Sequence, residues 1–240
     1  MPQSEPKYAF AAELFKRFPM FDHDKCLYLD FEGTGSVETA LNLFWPMAVR
    51  SSRFRLLLPP RGELSLSPSE LDRALEQWGL DPRHLPYVVV FSGSADVGTS
   101  LTQCTLKEEE RLWNWAGRNM FPSANWVSMW VVLRRCSAMK DSIRDHGWVR
   151  STKKSSAEYS QEALEWEFGL QRPERIRSHS KMYAHPRSGE TGCFSPLSAL
   201  QDVQLRGSKV ALEKVMEYCR WDVEALFQIA SICTSLVHRR

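Results

Sequence analysis

Apolar positions along this chain fall into short runs that switch between strand and helix spacing. Residues 25–31 (KCLYLDF) form a brief apolar run that predicts a buried strand, with Asp30 near its end. EGTGS follows as a glycine-rich turn. Residues 44–50, with Pro46 near their start, predict a second strand, and residues 54–58 (FRLLL) a third, ending at Pro59-Pro60. A helix then opens at Pro68-Ser69-Glu70, carries Leu71, Leu75 and Trp78 at helical spacing, and stops at Gly79. Residues 86–91 (PYVVVF) are apolar on both faces, as a central strand covered on both sides must be.

Further elements follow. A helix is predicted over 107–117, with Leu112, Trp113 and Trp115 on or near its apolar side. Residues 126–133 (WVSMWVVL) read as a strand, and 160–168 as a short helix stopped at Gly169. Residues 171–198 show no steady period and read as loop. The last element is a long helix over about 208–237, with Val215, Leu226, Ile229 and Leu236 on its apolar side. Strands come first and helices interleave, which favours a mixed α/β sheet over a bundle. Residues 1–24 are polar, with Phe10, Leu14 and Phe18 suited to a short amphipathic helix; they are taken as an N-terminal extension to a domain spanning 25–240.

Composition narrows the class without choosing a function. A chain of 240 residues can bury a full core without disulfide staples, and 43% hydrophobic with 25% charged residues is ordinary for a globular protein. A net charge of +2 points to no partner. None of the six cysteines forms a C-x-x-C pair, which argues against a zinc knuckle or redox motif. The first residues lack the apolar core of a secretory signal, and no run reaches the roughly 18 apolar residues of a membrane span. Free thiols in a reducing cytoplasm, with no membrane partner, are the expectation.

Three patterns carry chemistry. In Leu29-Asp30-Phe31-Glu32, strand alternation puts Asp30 and Glu32 on one face, where two carboxylates repel unless a cation sits between them. Hard divalent cations prefer such oxygen ligands, although two solvated acids at a strand end fit the same pattern. In the second, residues 88–96, an apolar strand runs into small residues and then Asp96; a turn capped by Ser94 or Asp96 fits equally. The third is Tyr218-Cys219-Arg220-Trp221-Asp222, where Tyr218 and Asp222 share one helical face. There a phenol beside a metal-bound acid could orient water; a half-buried tyrosine and a solvated aspartate fit too.

Taken in order along the chain, these patterns resemble the DEDD (DnaQ-like) 3′–5′ exonuclease superfamily, in its tyrosine subgroup, and most closely YprB-type ribonuclease H-like domains. LDFEGTG is similar to that family's first motif, D-x-E-T-T-G, and YCRWDVEAL to its last, Y-x-x-x-D-V. Residues 164–172 (LEWEFGLQR) also look like a family segment. The chain departs from the pattern at Gly33, where threonine is common, and at Phe91, Ser92 and Ala95 around the middle acid.

The resemblance implies a ribonuclease H-like, mixed five-stranded sheet with flanking helices. It implies that Asp30, Glu32, Asp96 and Asp222 bind two divalent ions, Mg²⁺ or Mn²⁺, and that Tyr218 positions the attacking water. The reaction would be hydrolysis of single-stranded DNA or RNA from the 3′ end, with Thr34, Arg172 and Arg175 as substrate contacts. Residues 134–187 hold twelve Lys or Arg against seven acids, which suits phosphate contacts. Some of the nine tryptophans could stack bases, although core or partner-facing positions fit as well; Trp221, beside the proposed metal face, fits packing under the sheet too. His179 and His185, in the loop before the last helix, could serve as a general base or phosphate contact, and simply exposed loop residues fit the same pattern. The alternative is a non-catalytic ribonuclease H-like module that binds nucleic acid or serves as a scaffold.

Overall fold

The computed structural model describes residues 5–33, 38–48, 52–61, 63, 65–84, 87–91, 115–116, 126–150, 153–157, 159–177 and 194–238. They fall into two compact units, each assembled from separate stretches of chain. A sheet unit takes Asp22–Met129 and Pro196–Leu226; a helical unit takes Met1–Phe21, Trp130–Ser195 and Phe227–Arg240.

The sheet unit is α/β. Its strands are β1 (Cys26–Gly33), β2 (Glu38–Phe44), β3 (Phe54–Leu57), β4 (Tyr87–Val90) and β5 (Trp126–Ser128), in the order β3-β2-β1-β4-β5. β2 pairs antiparallel with both β1 and β3, while β1, β4 and β5 pair parallel. One strand therefore runs against the other four, the sheet arrangement of the ribonuclease H-like fold.

On one face, Leu27, Leu29 and Phe31 of β1 join Leu41, Leu43, Val88 and Val90 in a core sealed by helix α2 (Pro68–Trp78) through Leu71, Ala74 and Leu75. Gly79 ends α2 at φ +68°, and its N–H donates to the carbonyls of Glu76 and Leu75. Nothing lies within 4 Å of a Cβ added there. Gly79→Ala should therefore act through backbone strain alone and destabilise by about 1 kcal/mol in a urea melt.

Several expectations are corrected. The second strand covers 38–44 rather than 44–50, because Pro46 has no N–H for the ladder and the chain turns at 46–47. The apolar run 126–133 is a strand only to Ser128; it continues as helix α3 (Met129–Arg135). Met129, Val132, Leu133 and Cys136 are buried at helical spacing, a period that the uniformly apolar MWVVL at 129–133 hides. Within the stretch read as loop, a 3-10 turn forms at Glu174–Ile176, and a helix (Pro196–Arg206) begins that buries only Leu200 and Gln204. Helix α4 (Ser137–Asp145) buries only Met139 and Ile143, too narrow a stripe to stand out. The hairpin β6 (Val149–Arg150) and β7 (Lys153–Ala157) has little strand propensity in KKSSA.

The helices expected at 160–168 and about 208–237 are present. Helix α5 (Gln161–Glu167) is capped by Ser160 Oγ, which accepts from Ala163 N at 3.1 Å. The helix Pro196–Arg206 is α6, and α7 (Lys209–His238) begins after Ser208, whose Oγ accepts from Ala211 N at 3.2 Å. The helix read over 107–117 lies outside the described residues except for helical Trp115 and Ala116. The N-terminal segment is part of the helical unit's core: α1 (Glu5–Arg17) buries Phe10, Ala11 and Leu14, and Phe10 meets Phe168 edge-on at 5.5 Å. Among the described residues, no helix is long and apolar enough to cross a membrane, and Cys26, Cys136, Cys219 and Cys233 are free and buried.

Candidate metal centre

Period-two geometry of β1 creates the site. With Leu27, Leu29 and Phe31 committed to the core under α2, Asp30 and Glu32 must project from the opposite face. The antiparallel register sets Asn42 of β2 across from Asp30 and Ala40 across from Glu32. Helix α7 supplies Asp222, which is 4% exposed.

Carboxylate oxygens of Asp30, Glu32 and Asp222 all lie within 4.8 Å of one another. At that spacing each pair of ionised acids repels by on the order of 3 kcal/mol at an effective dielectric of about 20. The sheet and α7 hold the three together nonetheless, and a divalent cation would convert this repulsion into attraction. The donor set is hard. Cys219, one turn before Asp222 and fully buried, has its thiol pKa pushed well above the ordinary value, first by burial and then by Glu32, Asp222 and Asp30. That direction disfavours a thiolate beside the three acids, so the donors the site offers a cation are carboxylate oxygens. An all-oxygen set suits Mg²⁺ or Mn²⁺ rather than a thiophilic metal.

Asn42 and Cys219 are the residues the sequence reading missed. Asn42 is fully buried, and its Nδ2 donates to Asp30 Oδ2 at 3.4 Å. Its side chain also opposes the rise in the Cys219 thiol's pKa, while its buried Oδ1 has no hydrogen-bond partner among the described residues. The signal was a lone polar residue inside TALNLF, invisible while the strand was drawn from 44 onward. If the three acids hold a divalent cation, Asn42→Leu should weaken Mn²⁺ binding by about 10- to 100-fold in calorimetric titration, because Asp30 loses its orienting hydrogen bond. Unchanged affinity would remove Asn42 from this role.

Tyr218 is half-buried, one turn before Asp222 on the same helical face, and Trp221 is half-buried beside it. The Arg220 guanidinium lies 5.1 Å over the Phe54 ring, fastening this turn of α7 to β3. Thr34, Asp96, His179 and His185 lie outside the described residues. Arg172 and Arg175 belong to the helical unit. Arg172 is buried and its guanidinium grips Glu165, with distances of 2.8 and 3.3 Å; Arg175 is exposed.

A second acidic group, Asp22, His23 and Asp24, has a local explanation. Asp22 caps the 3-10 turn by accepting from Asp24 N at 3.2 Å, and Lys25 Nζ lies 2.9 Å from it. The hydrogen bond from Lys25 is the largest cause of its lowered pKa.

No protein-family model, curated protein or solved structure matches this chain. The functional reading therefore stands on the site itself.

Proposed function

We propose that this chain is a Mg²⁺- or Mn²⁺-dependent 3′–5′ exonuclease acting on single-stranded DNA or RNA in the cytoplasm. The observation that carries the reading is the convergence of Asp30, Glu32 and Asp222 within 4.8 Å on a sheet of ribonuclease H-like order. Bound divalent ions would supply Lewis-acid activation of water and neutralise charge developing on the phosphate. Asp30 and Glu32 hold one side of the site from the strand, and Asp222 closes it from the helix. Asp96 is the fourth acid of this proposal. The Tyr218 hydroxyl serves to orient the attacking water. Basic residues of 134–187 contribute phosphate contacts whose strength falls with salt.

Strands labelled at the 5′ end, incubated with the protein and Mn²⁺, test this directly. A ladder that shortens from the 3′ end, and is absent with Asp30→Ala, is the expected result. Intact strands that still shift in a gel would favour the non-catalytic binding module instead.

A further inference from the structure

The helical unit contains a pocket of about 390 Å³ that the metal centre does not use. This volume lies within the usual range of small-molecule sites, about 300–1,000 Å³. Its walls include Trp148, Trp166 and Pro173. Trp148 is only 2% exposed, Trp166 is half-buried, and the two indoles meet at 64° with centroids 6.3 Å apart. They form a corner in which a flat ring can lie on one indole and turn its edge to the other.

The polar groups restrict what can enter. Glu162 and Arg177 sit side by side in the lining as an ion pair, with Arg177 Nε 3.0 Å from Glu162 Oε1. Glu174 adds a further carboxylate, while the Arg172 guanidinium in the wall is already committed to buried Glu165. An apolar ligand would strip water from these charges and return nothing. A simple anion would meet two carboxylates as well as the Arg177 guanidinium. Burial raises the Glu162 pKa, against the pull of Arg172 and Arg177, so this carboxyl is a partly desolvated acceptor. The ligand that meets all these demands is planar, stacks on indole, and carries both donors and acceptors on its edge. Nucleobases are such ligands, and guanine alone presents two adjacent N–H donors for one carboxylate, with O6 and N7 acceptors for a guanidinium. In the same unit, Arg134 of α3 is stacked between Trp130 and Tyr159 at 5.3 and 5.4 Å.

We infer that this pocket binds the guanine base of a nucleotide, with Trp166 as the stacking surface and Glu162 as the reader of the base edge. Its use as a substrate contact rests on the exonuclease reading; its occupancy does not. Titrating GMP, AMP, CMP and UMP against intrinsic tryptophan fluorescence in EDTA isolates the pocket from metal chemistry. GMP should quench at the lowest concentration. Trp166→Ala should weaken GMP by about tenfold or more, as loss of a stacked base does. Glu162→Gln, a closely isosteric change that keeps the fold readable, should bring GMP to the level of AMP. Asp30→Ala should bind GMP like wild type. A hexanucleotide with one guanine binding more tightly than GMP assigns the ligand to a strand, and equal binding assigns it to the free nucleotide. No quenching by any nucleotide at millimolar concentration would overturn the inference. So would loss of GMP binding in Asp30→Ala, or a GMP preference that survives Glu162→Gln.

Discussion

Asp222→Asn should move activity and stability in opposite directions. Replacing one of the three carboxylates removes a ligand, and with it transition-state stabilisation of several kcal/mol, so Mn²⁺-dependent hydrolysis should fall by about 10³-fold or more. The same change removes a negative charge from a cluster in which every pair sits within 4.8 Å. In EDTA the variant should therefore melt higher than wild type by a few degrees, corresponding to roughly 1–2 kcal/mol of relieved repulsion. In Mn²⁺ the order should reverse, because only wild type gains the stabilisation that a ligand confers on the folded state. Melting curves in the two buffers read both signs. A variant that melts lower than wild type in EDTA would mean that the three acids are held as a satisfied network rather than as a strained, cation-ready site.

The second large effect concerns Arg172. Its buried fork on Glu165 lies where side chains are 5% and 1% exposed, and Gln161 Nε2 donates to the same Glu165 at 3.0 Å. Truncating one partner leaves an uncompensated buried charge, which costs about 3–5 kcal/mol. Arg172→Ala should therefore lower the melting temperature by roughly 10 °C. Replacing both partners by apolar residues of similar volume should recover most of that loss. A substrate-contact role predicts the reverse pattern: weaker binding of single strands, a smaller salt dependence and an unchanged melting curve. Measuring melting and strand affinity on the same Arg172→Ala preparation separates the two roles.

Legibility in the sequence followed how sharply each residue's neighbours constrained it. KCLYLDF was readable as a short continuous apolar run, and the two-residue period of a strand then gave Asp30 and the following Glu32 one face to share. Proline and glycine bounded α2, and Tyr218 and Asp222 were tied by helical spacing alone. What failed was ambiguous locally. WVSMWVVL is apolar at every position but Ser128, so its pattern could not say where strand became helix. Helix α4 and helix α6 each bury only two side chains, a stripe too thin to read. The shift of β2 to 38–44 hid Asn42, whose importance depends on a cross-strand partner twelve residues away. Arg172 looked like one basic residue among many, because its commitment to Glu165 exists only once the chain has folded back on itself.

The most direct measurement is the electron paramagnetic resonance of Mn²⁺ titrated into the full chain, wild type beside Asp30→Ala. The free-ion signal should be depleted by wild type at micromolar to submillimolar concentrations and remain at full amplitude with the variant, since three converging oxygen ligands become two. Equal depletion by both proteins, or by neither, would contradict a metal centre built from Asp30, Glu32 and Asp222.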